Sequence, residues 1–357
     1  MKKIKVIHFV SGFKDGGVEQ MLLNYTKMLN KHLPIDNIIV YQHPANDRKK
    51  ELSEFYGNKM YRIPFKKSHP INNLRMTFNI LKHERPDVVH AHMNLVNFFP
   101  LAVAWFLKIP VRITHSHIAE DNVNPILAPF FKQMNMFFAT SLAACGEKAG
   151  LYMYGKNKFK IIYNAIDEDK YTFSINNREK LRKRFHISKD IVVLGTVGKA
   201  NNQKNQFFLV DVFVKYHRLN RDSKLIIVGD GELSDQLDEY IRQNKCQNSV
   251  IRVKSVRSTE EYYSCFDYFL LPSLYEGLPV SAIEAQASGV RCLLSDTIDK
   301  TTSFSKFVKF LPIDKGVDPW IDALQNLPLG NRHVNKSNRY NIRKEYKQLY
   351  DYYIKQS

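Results

Sequence analysis

Asp267-Tyr268-Phe269-Leu270-Leu271-Pro272-Ser273-Leu274-Tyr275-Glu276-Gly277-Leu278-Pro279-Val280, running on to Glu284-Ala285-Gln286-Ala287-Ser288-Gly289, is the most informative stretch of the chain. Tyr268 to Leu271 is an unbroken apolar run of strand length, the pattern of a strand buried on both faces. Pro272 ends it, and a Gly-Leu-Pro turn opens a helix near Val280. Glu276 stands just before that helix and Glu284 about two turns into it. Carboxylates so placed are strong acceptors that suit the hydroxyls of a sugar and a ribose. A helix N-terminus also keeps Glu276 ionised. A purely structural loop needs no such combination of Glu, Gly and Pro.

Working outward, short β-branched runs alternate with longer helical patterns, the signature of parallel α/β units. Strands are predicted at 5–9, 38–41, 60–63, 88–90, 111–114, 141–144 and 160–162. A second series falls at 191–197, 224–228, 250–253, 268–271 and 291–295. Between them, residues 167–189 are polar and charge-dense with no clear strand, so the domain boundary is set near their start. Two such series predict two doubly wound domains facing across a cleft, with ligands beyond the carboxyl ends of the strands. Ile342, Tyr346, Leu349, Tyr350 and Tyr353 make one apolar stripe and predict a C-terminal amphipathic helix.

The chain has 357 residues, 44% of them hydrophobic, which supports two globular domains. Its 53 basic and 35 acidic residues leave a net charge of +18, which calls for a phosphorylated small molecule, an anionic lipid or nucleic acid. No nucleic-acid motif accompanies the charge, so a nucleic-acid-binding role is set aside. Cys145, Cys246, Cys265 and Cys292 form no CxxC pair, which argues against a disulfide scaffold or zinc knuckle and for a reducing cytoplasm. The apolar run after the first residues is too short for a signal peptide, and residues 98–107 give about half a membrane span.

Two further loops invite phosphate. Ser11-Gly12-Phe13-Lys14-Asp15-Gly16-Gly17-Val18-Glu19-Gln20 joins the first strand to a helix, and Gly16 and Gly17 let backbone amides approach an anion at the helix N-terminus. Its spacing is not GxGxxG, so a nicotinamide cofactor is disfavoured. Gly198-Lys199-Ala200-Asn201-Asn202-Gln203-Lys204-Asn205 follows another buried strand, and Lys199 and Lys204 can hold a diphosphate and neutralise a departing one.

The E-x7-E pair, the Gly-Gly-Val-Glu and Lys-x4-Lys loops, Gly229-Asp230-Gly231-Glu232 and Tyr163-Asn164-Ala165-Ile166-Asp167 together resemble the family 4 retaining glycosyltransferases, above all bacterial members that build exopolysaccharide or capsule. The resemblance covers nearly the whole chain. It implies the two-domain GT-B fold, with an acceptor domain at 1–168, a nucleotide-sugar donor domain at 169–335, and a helix at 336–357 crossing back to the first. It implies a nucleoside-diphosphate-sugar donor of the UDP class, a lipid-linked acceptor, no cofactor and no required metal. Lys199, standing where the family usually has arginine, and Lys204 then contact the diphosphate. Glu284 holds the ribose, Glu276 lies near the donor sugar, the amides of Gly277 and Leu278 meet sugar or phosphate, and Gly16 and Gly17 approach from the first domain. Ser255, Val256 and Arg257 depart from the family pattern where a base contact is usual.

Among twelve histidines, His115, in Thr114-His115-Ser116-His117, aligns with the family's active-site histidine at a strand end facing the cleft. A zinc reading of this pair and of His90-Ala91-His92 lacks a third ligand. Asp167-Glu168-Asp169 matches the DxD of metal-dependent glycosyltransferases, yet its place in a charged linker favours a solvated turn. The rival enzyme reading is a nucleotide-sugar epimerase of similar architecture. Residues 1–170 carry 24 basic and 14 acidic residues. With the apolar segment 125–138, this suggests peripheral contact with an anionic membrane, unless that segment is a buried helix.

Overall fold

The computed structural model describes residues 3–14, 16–119, 124, 126–254, 256, 258–330, 332, 336–337 and 339–356. The backbone divides into two units, Met1–Ile166 with Asn338–Ser357, and Asp167–Ser337.

The first unit is built on seven parallel strands. They are β1 (Ile4–Val10), β2 (Ile35–Tyr41), β3 (Lys59–Arg62), β4 (Val88–Ala91), β5 (Val111–Ser116), β6 (Ser141–Ala144) and β7 (Lys160–Ile161), in the order β3-β2-β1-β4-β5-β6-β7. Each apolar run becomes a strand because helices cover both faces and only β-branched and aliphatic side chains fill such a sandwich. Val6, Val10, Leu22, Tyr25 and Leu29 lie in the core on one face, and Ile7, Phe9, Val89 and Leu101 on the other. The stripe at the end of the chain forms the helix Ile342–Gln356, which buries Ile342, Tyr346, Leu349 and Tyr353 in the first of these cores. Tyr350 is only partly buried there. The Tyr353 hydroxyl and His90 Nδ1 are hydrogen-bonded at 2.8 Å, so the last helix reaches a side chain of β4.

The second unit has six parallel strands, β8 (Val192–Val197), β9 (Ser223–Val228), β10 (Val250–Val253), β11 (Tyr268–Leu271), β12 (Arg291–Ser295) and β13 (Val308–Leu311), in the order β10-β9-β8-β11-β12-β13. The edge strand β13 has no counterpart in the predicted series, and all four of its residues are only half-buried. Residues 167–189 contain no strand; they form the helices Glu168–Tyr171 and Ile175–Arg184, the latter capped by the Ser174 hydroxyl on the Asn177 amide. Asp267 anchors this segment to β11. Its carboxylate accepts from Arg178 at 2.7 Å, from Arg182 at 2.9 Å and from the Val193 amide at 2.8 Å.

Each sheet reverses its strand order once, between β1 and β4 and between β8 and β11. At such a point the connections run off in opposite directions and leave the strand ends uncovered by their own crossovers. In the second unit the loop after β9 closes tightly on the loop after β8. Gly229 has φ +131°, and a Cβ there would stand 2.1 Å from the Gly198 carbonyl oxygen; one on Gly231 would stand 2.3 Å from that of Ala200. Gly229→Ala combines a left-handed backbone with a backbone clash, each costing on the order of 1–3 kcal/mol. The variant is expected to lower the unfolding midpoint of the second unit in a denaturant titration; an unchanged midpoint would contradict the packing.

Candidate functional site

The loops after β8 and β11, neighbours at the switch point, are stitched together by the Leu274 amide donating to the Gln203 carbonyl at 2.8 Å. Residues 198–205 are shaped locally. Asn201 Oδ1 accepts from the Lys204 amide at 3.0 Å, capping a 3-10 turn at Asn202–Lys204, and Asn205 takes a left-handed φ of +50° before the helix Gln206–Leu219. This geometry directs Lys204 inward, along the space left by the missing side chain of Gly198, where a Cβ would be 3.2 Å from Lys204 Cε.

Lys204 Nζ meets Glu276 Oε1 at 2.5 Å, with both side chains largely buried. The Ser273 hydroxyl donates to the same oxygen at 2.8 Å, and Gln203 Nε2 to Oε2 at 3.2 Å and to the Tyr275 carbonyl at 3.0 Å. Gln203 and Ser273 are partners that the motif reading did not single out, although both lie inside the motifs quoted. Lys199 is exposed and has no ion-pair or hydrogen-bond partner among the described residues. Gly277 and Leu278 are buried in the turn leading into the helix Val280–Ala287.

Glu284 does not join this pair. It points from the helix Val280–Ala287 into a polar pocket, where the Tyr263 hydroxyl donates to Oε2 at 2.6 Å. Burial pushes its carboxyl pKa up, while hydrogen bonds from Tyr263 and Tyr171 and the Lys170 charge pull it back down. The two glutamates expected on one donor are thus held by separate sets of partners. Ser255 and Arg257 lie outside the described residues.

In the first unit, Gly16 caps the helix Gly17–His32 with extended backbone. A Cβ on Gly16 would stand 2.2 Å from Glu19 Oε2, so the chain's own carboxylate folds back over this helix N-terminus, as in a capping box. An incoming phosphate would meet that carboxylate. The Asp167-Glu168-Asp169 segment is not simply a solvated turn. Glu168 is buried and accepts from the Ser337 amide at 2.6 Å, and Asp169 pairs with Lys336 at 3.0 Å.

His115 was expected at an open strand end; it is fully buried. It belongs to an array of five buried histidines crossing β1, β4 and β5. His8 Nδ1 and His92 Nε2 are 3.1 Å apart, His92 Nδ1 and His117 Nε2 2.9 Å, and His90 Nε2 and His115 Nδ1 3.1 Å. His8 is the member that motif reading missed; its one signal is an imidazole inside the apolar run of β1. The ring nitrogens of His8, His90 and His92, and those of His92, His115 and His117, lie close enough to form two overlapping metal-ligand trios. Their mutual hydrogen bonds, however, already engage most of these nitrogens. Burial holds His8 down to about 4 and His117 to about 3, and burial with the neighbouring imidazoles lowers His90, His92 and His115 well below the ordinary imidazole range.

The comparisons follow the architecture. Residues 15–170 match the family model of Glycosyltransferase Family 4, and residues 177–306 that of Glycosyl transferases group 1. The fold is that of the Anabaena protein HepE, whose crystal structure with UDP and glucose superposes with a TM-score of 0.83 at 16% identity, covering 99% of this chain and 100% of that one. The protein is a GT-B glycosyltransferase. More narrowly, it carries a Glycosyltransferase Family 4 domain followed by a Glycosyl transferases group 1 domain. EpsF of Bacillus subtilis is 27% identical over 343 residues, 92% of this chain and 88% of that one. The Escherichia coli UDP-Gal:alpha-D-GlcNAc-diphosphoundecaprenol alpha-1,3-galactosyltransferase is 25% identical over 80% of this chain and 79% of its own. The capsular polysaccharide biosynthesis glycosyltransferase CapH of Staphylococcus aureus is 23% identical over 98% and 99%. Among the described residues, no helix is long and apolar enough to cross a membrane.

The histidine array has a consequence in acid. Folded pKa values lie below the unfolded value of about 6.5, so between the two the unfolded chain binds more protons and stability falls as pH drops. Each unit of depression is worth about 1.4 kcal/mol. Residue-resolved hydrogen exchange, corrected for intrinsic rates, should show protection of β1, β4 and β5 falling between pH 7.5 and pH 5. Protection of β8, β9 and β11 should change much less; equal losses in both sheets would contradict this account.

Proposed function

We propose that the protein is a retaining, metal-independent glycosyltransferase that moves a sugar from a nucleoside-diphosphate donor of the UDP class to a lipid-linked precursor of exopolysaccharide or capsule. The Lys204–Glu276 pair at the switch point of the second unit carries the reading. An ammonium group has three donors, so Lys204 can serve Glu276 and still face a diphosphate. Negative charge develops on that diphosphate as it leaves, and a fixed cation beside it lowers the barrier. Lys199, exposed on the same loop, supplies a second charge. Glu276 presents a carboxylate to sugar hydroxyls, and Glu284 one to the ribose once its tyrosines yield. His115, buried under the other histidines, and the Gly16–Gly17 turn, over which Glu19 folds, take no part in this step. The named activities of the E. coli galactosyltransferase and CapH support the UDP class, the lipid-linked acceptor and the polysaccharide setting.

Metal independence rests on where the acids are. Glu168 and Asp169 are engaged by the Ser337 amide and Lys336, and Lys204, beside Glu276, is the cation we assign to the diphosphate. Transfer is expected to survive excess EDTA. Lys204→Met, which keeps bulk and removes charge, should cost 100-fold or more in kcat, about 2.7 kcal/mol. Full loss in EDTA restored by manganese would overturn the mechanism. The donor is identified by thermal shift across nucleoside diphosphates and nucleotide sugars, the linkage by NMR of the product anomer, and release of free epimerised sugar without acceptor would favour the epimerase reading.

A lipid-linked acceptor asks for a membrane surface. The segment that could have been a buried helix, Leu127–Phe138, buries only Asn135. Phe130 and Phe137 are 56% and 66% exposed, and Phe106 on the helix Phe98–Phe106 is 69% exposed. Trp105 lies 6.3 Å from Phe137, and Phe78, on the helix Pro70–Glu84, 6.2 Å from Phe106, centroid to centroid, so three helices contribute to one apolar surface. Arg62, Lys66, Lys67, Arg75, Lys82, Arg85, Lys108 and Arg112 outnumber Glu84 and Asp87 across residues 62–112. Apolar rings with a cationic surround match the interface of an anionic bilayer. The protein should co-float with phosphatidylglycerol vesicles at low salt and not with phosphatidylcholine. Changing Phe106, Phe130 and Phe137 together to Ser should abolish flotation, and flotation that persists would remove this surface from the attachment.

A further inference from the structure

The histidine array contains a hydrogen-bond chain whose direction is set at its far end. Asn30 Nδ2 lies 2.9 Å from the Tyr56 carbonyl, which can only accept, so the amide orientation of Asn30 is fixed and its Oδ1 accepts. Asn37 Nδ2 donates to that oxygen at 2.7 Å, which turns Asn37 Oδ1 toward His8 Nε2 at 3.0 Å. An oxygen there requires His8 to carry its proton on Nε2. His8 Nδ1 is then bare and takes the proton of His92 Nε2; His92 Nδ1 is bare in turn and takes that of His117 Nε2. The chain therefore ends on a bare His117 Nδ1, a buried atom with no hydrogen-bond partner. The His117 backbone is held by its amide donating to Asn94 Oδ1 at 2.8 Å.

The neighbouring chain is not polarised in this way. It runs from Tyr353 through His90 to His115 Nε2, also buried without a partner, and a tyrosine hydroxyl can donate or accept. Only His117 presents a nitrogen whose role is decided by the fold. A lone pair so oriented takes a hydroxyl proton or a metal ion. Hydrogen bonds already engage both nitrogens of His8, His90 and His92, leaving two unengaged nitrogens in the array, one short of a three-protein-ligand site. The hydroxyl is favoured.

We propose that His117 Nδ1 is a dedicated acceptor for a sugar hydroxyl, and that Asn37, His8 and His92 are positioning residues that fix its tautomer. The assignment rests on the glycosyltransferase reading above for the class of ligand, though the tautomer itself does not. Nitrogen NMR of the full chain labelled at histidine reads it directly. His8, His92 and His117 should all be protonated at Nε2 and bare at Nδ1 near pH 7.5, and a protonated His117 Nδ1 overturns the proposal. Two additions then locate the hydroxyl: the nucleotide sugar that stabilises most in the thermal screen, and glucose, galactose or N-acetylglucosamine with UDP. A shift of the His117 Nδ1 resonance with the first assigns the hydroxyl to the donor, and with the second alone to an acceptor sugar. No shift with either, while calorimetry shows the nucleotide sugar bound, overturns the proposal and leaves the proposed function intact. If no nucleotide sugar binds, the proposed function fails instead and the hexose arm alone decides.

Asn37→Leu should release the tautomer and raise the KM of the responding substrate about three- to tenfold, the range for one neutral hydrogen bond. Asn37→Gln, which keeps an amide oxygen for His8 and an amide nitrogen for Asn30, should restore both tautomer and KM; a KM equally raised in both variants marks a merely structural role. Titration with Co2+ provides the remaining arm. Visible absorption bands that require His92 and His117 would make the array a metal site and overturn the hydroxyl assignment.

Discussion

A parallel sheet can reverse its strand order only by sending consecutive crossovers in opposite directions, and the reversal leaves two neighbouring strand ends without a helix over them. Both sheets obey this constraint, at β1 and β4 and at β8 and β11. The chemically notable groups of each unit collect there. In the second, Lys204 and Glu276 come from the two loops that the reversal separates, joined by Leu274 and Gln203. In the first, His8 and His90 face each other in register across the reversal, and His92, His115 and His117 extend the array along β4 and β5.

The two sites solve the problem of buried polarity differently. Lys204 and Glu276 are paired directly, and Ser273 and Gln203 add hydrogen bonds to the carboxylate oxygens. Burial penalises the imidazolium in the histidines, and among the described residues no carboxylate is hydrogen-bonded to the array. The second unit thus holds its buried polarity as an ion pair, and the first as hydrogen-bonded imidazoles. Charge complementarity and neutral hydrogen bonding are divided between separate folded bodies.

Much of this was legible in residue order. Periodicity located twelve of the thirteen strands among the described residues, the central ones because fully buried parallel strands are continuous apolar runs. β13 escaped although its edge position and half-buried residues resemble those of β3, which was located; its four residues Val308–Leu311 are interrupted by Lys309 and give no continuous apolar run. The Lys204 and Glu276 loops were legible because strand ends, glycines and prolines mark where they must lie. Their direct contact was not, since a pair 72 positions apart has no sequence signal. Nor was the separate surrounding of Glu284, because Tyr263 and Tyr171 lie upstream on segments whose packing only the folded unit decides. The openness of His115 was misjudged for a related reason: a strand-end position says nothing of what covers it, and here other histidines do.

The helix Ile342–Gln356 packs into the core of a unit whose other residues end at Ile166. On the ribosome, residues 1–166 emerge long before that helix exists, and the 171 residues of Asp167–Ser337 are made in between. At roughly 5–20 residues per second that interval is about 10–35 s. Throughout it the face formed by Tyr25 and Leu29 lacks its cover and His90 lacks Tyr353. The first domain begun is thus the last one finished, and its nascent form passes through a long-lived stage with an open apolar face, where a chaperone has both the time and the surface to act.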